Sequence, residues 1–180
     1  MGHLEATASH RTTLESLHFQ RGAPNDEPKP FDPGKHRWRE VTVAADQSSF
    51  KIRHDYTVLG HDVPSGTLDM VVRWRGDGGH CPLHRHVAMT TVLVLEGEQH
   101  LWAVHPDGTR GAEKVRRAGD YHLSTGDKHP HLERGGSEGG LVFFGCHTKN
   151  GLLYEILDED LKVVAETTIE NLVADFQANA

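Results

Sequence analysis

The sequence is short of cysteine, of long apolar runs and of positive charge. Two cysteines in 180 residues cannot build a disulfide framework or a cysteine-based structural zinc site. No apolar run approaches the roughly 18–20 residues that a bilayer-spanning helix needs, so no membrane is expected as a partner. The first residues, MGHLEATASHRTTLESLHF, lack the charged-then-apolar layout of a signal peptide, and a cytoplasmic location is expected. Lys plus Arg number 19 against 26 Asp plus Glu, a formal charge of −7 at pH 7 with histidine neutral. A phosphate backbone needs a positive face, so nucleic acid is not an expected partner.

What is present fits one soluble-type domain with a core, since 36% of residues are hydrophobic and 25% charged. Residues 1–37 read as an extended N-terminal arm, because the polar, proline-rich stretch from Arg21 to Pro30 disfavours regular structure. From residue 38 the pattern turns strand-like, and residues 38–180 read as the domain proper. Leu68, Met70, Val72 and Trp74 alternate with Thr67, Asp69, Val71 and Arg73, the period of a half-buried strand. Thr90 to Leu95, Gln99 to Val104, Leu141 to Phe144 and Leu152 to Leu157 read as further strands, with Glu96-Gly97 as a turn. Many short strands with glycine-rich turns imply an all-β sandwich or barrel. Ile169, Leu172, Val173 and Phe176 then recur at helical spacing, which predicts a C-terminal helix over about 168–177. Thr167 with Glu170 matches a capping box for it.

The abundant residue is histidine. There are 15, and nine fall between His80 and His147, inside the expected strands and turns. In an extended strand, residues two apart face the same way, so His84 and His86 project together and can share a metal. A second pair two apart, His129 and His131, follows some 40 residues later in a glycine-turn context. Converging neutral imidazoles with open positions form a transition-metal site suited to Fe(II), Zn, Ni or Cu.

These residues carry a family resemblance. The stretch Gly79 to Gly97 resembles the first motif of the cupin superfamily, a glycine, then H-x-H, an acidic residue and a closing glycine. Gly119-Asp120 through Gly126-x-x-His129 resembles the second, with the spacing one residue short and Thr125 where proline is usual. Among cupins the sequence is similar to the acetylacetone dioxygenase and 2,4'-dihydroxyacetophenone dioxygenase group. The likeness rests on His84-Arg85-His86, Val94-Leu95-Glu96-Gly97 with His100, Ala118-Gly119-x-Tyr121, and Leu152-Leu153-Tyr154 with Asp158. It extends over about residues 65–177, including the terminal helix.

The resemblance implies a jelly-roll β-barrel and a mononuclear non-haem Fe(II) held by His84, His86 and His129. It further implies an O2-dependent dioxygenase that cleaves a C–C bond of a dicarbonyl or aryl hydroxyketone, and a homodimer. The third ligand has two candidates. Gly-x-x-His favours His129, which is preferred, while the distance onward to Glu138-Gly139 favours His131. The usual cupin glutamate position falls on Thr90 or Thr91, which leaves a three-histidine set without a carboxylate from that motif. His100 and Glu98 are candidates for a catalytic or supporting role; with Trp102 they alternate onto one face, either towards the cavity or towards solvent. Arg73 and Arg75 are expected at the surface, and Cys81 and Cys146 as buried or idle thiols. Two other function classes compete. One is a metal-binding sensor without turnover, although residues 1–60 lack the His/Cys zinc module of such regulators. The other is a Zn- or Ni-dependent isomerase or hydrolase, because open-coordinated zinc activates water rather than O2.

Overall fold

The computed structural model describes residues 30–44, 46–126 and 129–180. Most of the expected 1–37 arm therefore lies outside the described residues; within it a single 3-10 turn spans Pro33–Lys35. The body beginning at Lys35 carries ten strands and one helix. They are β1 (Arg39–Thr42), β2 (Arg53–Asp62), β3 (Thr67–Trp74), β4 (His84–His86), β5 (Met89–Ala103), β6 (Lys114–Arg117), β7 (Tyr121–Thr125), β8 (His131–His147), β9 (Leu152–Leu157), β10 (Val163–Thr168) and α1 (Ile169–Asn179). Among the described residues no helix is long and apolar enough to cross a membrane.

All strand pairs are antiparallel, and the sheet curls on itself into an all-β jelly roll. One path runs β1-β2-β3-β8-β4-β9-β10, while β5 pairs with β6, β7 and β8. The β3 alternation places Leu68, Met70, Val72 and Trp74 in the main core with Val92, Val94, Val142, Phe144 and Leu153. Burial of that face is what fixes the register, since a one-residue slip would turn it to solvent.

The expected turn at Glu96-Gly97 is not a turn. β5 runs on from Met89 to Ala103, with register shifts between Val94 and Glu96 and between Gly97 and Gln99. Each bulge adds a residue to one strand of the pair and bends it. The bent strand passes so close to β8 that a Cβ on Gly97 would lie 2.5 Å from the Gly139 carbonyl oxygen, and Gly97 has φ +66°. Only glycine fits both demands. The bulges also reverse the alternation. Thr90, Val92 and Val94 point inward before them, whereas Gln99 is the fully buried residue after them.

The helix is where the spacing placed it, but its cap is one residue later than expected. Thr168, not Thr167, is the N-cap, and its hydroxyl accepts from the Asn171 N–H while the Asn171 side chain accepts from the Thr168 N–H. Thr167 and Thr168 pair with Tyr154 and Leu152 in the β9–β10 ladder, with a register shift between them, so the chain stays extended through Thr168 and the helix begins one residue later. Ile169, Leu172 and Val173 are buried. Asp175 anchors the helix to the sheet by accepting from Tyr56 Oη at 2.7 Å and from Arg39 Nε at 2.9 Å. Arg73 and Arg75 stay outside the barrel, as expected, and clamp the buried carboxylate of Asp55.

Candidate metal centre

β4 is three residues long, and its alternation sends His84 and His86 inward and Arg85 outward, where it pairs with Glu155. In the ladder His84 stands opposite His131, the first residue of β8. The three imidazoles meet, with ring centroids 4.3 Å apart for His84 and His131, and 5.3 Å for His86 and His131. One nitrogen from each lies within 4.8 Å of the other two. His131 thus fills the third position, and the preference for His129 is corrected. His129 precedes the strand and is exposed on the rim, with its carbonyl directed at His131 Nδ1.

The hydrogen bonds fix which nitrogen each ring presents. A carbonyl oxygen only accepts, so His84 Nδ1–H donates to the Pro82 carbonyl at 2.8 Å, and His131 Nδ1–H donates to the His129 carbonyl at 3.2 Å. Thr90 Oγ1 gives its own proton to the Ala88 carbonyl and therefore accepts from His86 Nδ1–H, at 3.2 Å. All three Nε2 atoms are left unprotonated, in a cluster where one ligand nitrogen of each ring lies within 4.8 Å of the other two. That arrangement fits a divalent metal, whose histidine ligands are oriented in this way by the bond made at the other nitrogen. Burial favours the same state: it lowers the His84 pKa to about 4 and drives that of His86 well below the ordinary value, so both are unprotonated at neutral pH.

A carboxylate does reach the site, from a position outside the first motif. Glu133 lies two residues beyond His131 on the same face of β8, is buried, and places Oε1 3.8 Å from His84 Nε2. Its other oxygen accepts from Gln99 Nε2 at 2.9 Å, and Gln99 Oε1 accepts from Arg116 at 3.0 Å. Alternation from His131 made Glu133 findable in the sequence; the link to Gln99 was hidden by the bulges.

Those bulges also decide the fate of His100 and Glu98. They face outward, opposite in sense to Gln99, and form a surface cluster in which His100 Nε2 meets Glu98 at 2.9 Å and Nδ1 meets Glu113 at 2.7 Å. Partial burial pulls the His100 pKa down, but its bonds to the two carboxylates outweigh this and raise it. Neither residue reaches the imidazole cluster, so both are corrected from site candidates to surface groups. The two thiols are buried, as expected. Burial, reinforced by Glu133, raises the Cys81 thiol, which keeps it protonated beside the site.

Two chambers flank the histidines and share His86, Glu133 and Phe144 as walls. One, of about 330 Å³, has mostly apolar wall surface, with Met70, Val72, Phe144 and Leu172 on one part of it and the polar groups of His54, Tyr154, Asn171 and Asp175 on the rest. Burial raises the Tyr154 pKa, so its phenol stays protonated, and lowers that of His54 to about 4. The other chamber, of about 250 Å³, lies on the concave face of β5, β6 and β7 and carries Lys114 and Arg116.

No protein-family model matches this sequence, and no curated protein matches it either. Solved structures do. The chain superposes on an RmlC-like cupin protein from Ralstonia eutropha JMP134 with a TM-score of 0.59 at 16% identity, covering 82% of this chain and 83% of that one. This is a cupin fold. A cupin 2 conserved barrel domain protein from Rhodopseudomonas palustris matches with a TM-score of 0.55 at 13% identity, over 73% of this chain and 86% of that one. An acetylacetone dioxygenase from Acinetobacter johnsonii matches over the full length of both chains, with a TM-score of 0.54 at 12% identity. In this cupin fold His84 and His86 lie on the three-residue β4, and His131 opens β8 opposite His84.

Proposed function

We propose that this cupin is a mononuclear non-haem Fe(II) dioxygenase that cleaves a C–C bond of a small dicarbonyl or hydroxyketone substrate. The observation that carries the reading is the cluster of three unprotonated Nε2 atoms, from His84, His86 and His131, next to a largely apolar chamber. The likeness to an acetylacetone dioxygenase supports the reaction class as a suggestion from a relative in fold. Iron bound there would supply Lewis acidity towards a chelating pair of substrate oxygens and one-electron chemistry towards O2.

The chain's own residues supply the rest. His84, His86 and His131 would hold the ion as a neutral set, which preserves its full positive charge for an enolate-type oxygen pair. Thr90 and the carbonyls of Pro82 and His129 lock the ring orientations. Glu133 Oε1 is the carboxylate oxygen placed to take a proton from an enolisable carbon, while Gln99 steadies Oε2. Met70, Val72 and Phe144 keep water from the apolar side.

Anaerobic loading with Fe(II), followed by oxygen-electrode assays on a panel of β-diketones, β-keto acids and hydroxyacetophenones, tests the proposal. Stoichiometric oxygen uptake with at least one of them, lost in His131→Ala, is the expected result. An Fe(II)-loaded protein that consumes no oxygen with any of them would overturn it in favour of metal sensing or Zn- or Ni-dependent chemistry.

A further inference from the structure

The two chambers beside the histidines differ in charge, and the difference follows from strand register. On β6, Lys114 pairs opposite Leu101 and Arg116 opposite Gln99, so both face the concave side with the inward residues of β5. On β7, His122 and Ser124 pair opposite Val92 and Thr90, again on the inward face. Four consecutive inward positions on the two edge strands are thus basic or polar. In a chain of formal charge −7 this is not an average surface.

Among the described residues lining this chamber, Glu133 alone is acidic, and it is buried and bonded to Gln99. Lys114 pairs with no carboxylate among the described residues. Arg116 donates through one nitrogen to Gln99, which sets its guanidinium against the Gln99–Glu133 pair, close enough for its charge to act on His86. The larger chamber shares Glu133 but has no Lys or Arg among its described lining residues, and its other acid, Asp175, is paired with Arg39. A negatively charged group therefore meets side-chain cations on the β5–β6–β7 side of the histidines and none among the described lining residues of the other.

We infer that the β5–β6–β7 chamber is an anion subsite, and that the substrate is a small organic acid whose carboxylate lies against Arg116 and Lys114. The inference rests on the proposed reaction only in taking the imidazole cluster as the place where the substrate's chelating oxygens sit. It narrows the dicarbonyl class to β-keto or hydroxy-keto acids, with the apolar portion directed past His86 and Phe144 into the other chamber. Arg116 provides a planar donor fork matched to a carboxylate, and Lys114 a longer-reaching point charge at the rim.

Binding without turnover separates this idea from the reaction itself. Acetoacetate and its neutral methyl ester have the same oxygen pair and differ in charge. Isothermal titration of both into the purified protein, under anaerobic conditions, should show the acid binding at least about tenfold more tightly. Lys114→Gln and Arg116→Gln should each reduce that preference, and the double substitution should abolish it, with affinity for the ester and bound metal content unchanged. Arg116→Lys should restore part of it. Equal affinity for acid and ester, or a preference that survives the double substitution, would overturn the anion subsite. Loss of the preference in Lys114→Gln alone, on an exposed edge strand, keeps the test valid if Arg116→Gln fails to fold. A protein that shows the charge preference but never consumes oxygen refutes the dioxygenase and leaves the subsite standing.

Discussion

The Nε2 atoms of His84 and His86 face each other at 3.2 Å, and neither carries a proton to bridge the gap. Each ring's proton is already committed at Nδ1, to the Pro82 carbonyl and to Thr90. Two lone pairs at that distance repel unless a cation stands between them and the third ring. His131 completes the set, whereas His129 contributes its backbone carbonyl as the acceptor for His131. The expected outcome is that His84→Ala, His86→Ala and His131→Ala each lose the bound metal, while His129→Ala retains it. Elemental analysis of the four purified variants checks this, and a metal-free His129→Ala with a metal-replete His131→Ala would reverse the assignment.

Thr90 Oγ1 accepts from His86 Nδ1–H and so orients that ring. Thr90→Val keeps the shape and removes the acceptor. Outer partners of this kind typically contribute about 10–100-fold in metal affinity. Competition with a chromophoric chelator should show a loss of that order, with the fold intact by circular dichroism.

The metal-free protein should lose stability in mild acid. His54 and His84 have ordinary pKa values near 6.5 when unfolded and about 4 when folded, chiefly because burial disfavours their charged forms. Between those values the unfolded chain binds more protons than the folded one, so stability is fully present above about pH 6.5 and is lost as the pH falls through about 4. Urea midpoints measured at intervals across this window should decline, and His54→Asn should make the decline shallower. A flat profile in the native sequence would contradict the burial of these imidazoles.

Phe144 is 2% exposed and forms a wall of both chambers, with its ring 6.2 Å from that of His86. Phe144→Ala should reduce folding stability by about 3–5 kcal/mol, the usual cost of emptying a buried aromatic site. Leu153, fully buried and away from the imidazole cluster's ring contacts, should cost about 2–5 kcal/mol as alanine while leaving metal content unchanged. Chemical denaturation with parallel metal analysis distinguishes a stability effect common to both from a site effect confined to Phe144.

The Asp55 clamp should be asymmetric. The carboxylate is 1% exposed, but Arg73 and Arg75 are 31% and 45% exposed and can hydrate if released. Removing both guanidinium groups by Arg73→Met with Arg75→Met leaves a buried charge unpaired, a defect of about 3–5 kcal/mol. Asp55→Ala leaves no buried charge and should cost less. Urea unfolding of the two variants decides, and an Asp55→Ala that is the more damaging would contradict the account.

The local features were legible in the sequence because each rests on near neighbours. Period-two alternation located β3, the i, i+3, i+4, i+7 spacing located the helix, and the two H-x-H pairs located the metal-binding candidates. The two cysteines had already argued against a disulfide scaffold, and both are free thiols. Choices of a single residue were harder. Thr167 and Thr168 are both chemically fit to cap the helix, and the β9–β10 ladder, which runs on through Thr168 to Leu152, decides that the helix starts after Thr168. His129 and His131 are equally good ligands by type, and the pairing of His84 with His131 across two strands selects between them.

The tertiary structure alone settled which residues face the site beyond the ligands. Two bulges in β5 invert its alternation, sending His100 and Glu98 to the surface and bringing Gln99 to Glu133. A bulge is a property of two paired strands, recorded in neither sequence by itself, and every position after it changes face. The segment's own alternation therefore determined that Glu98, His100 and Trp102 share one side. The close approach of β5 to β8, at Gly97 and Gly139, determined that this side turns away from the imidazole cluster, and on it Trp102 packs on Leu83, Leu132 and Leu157.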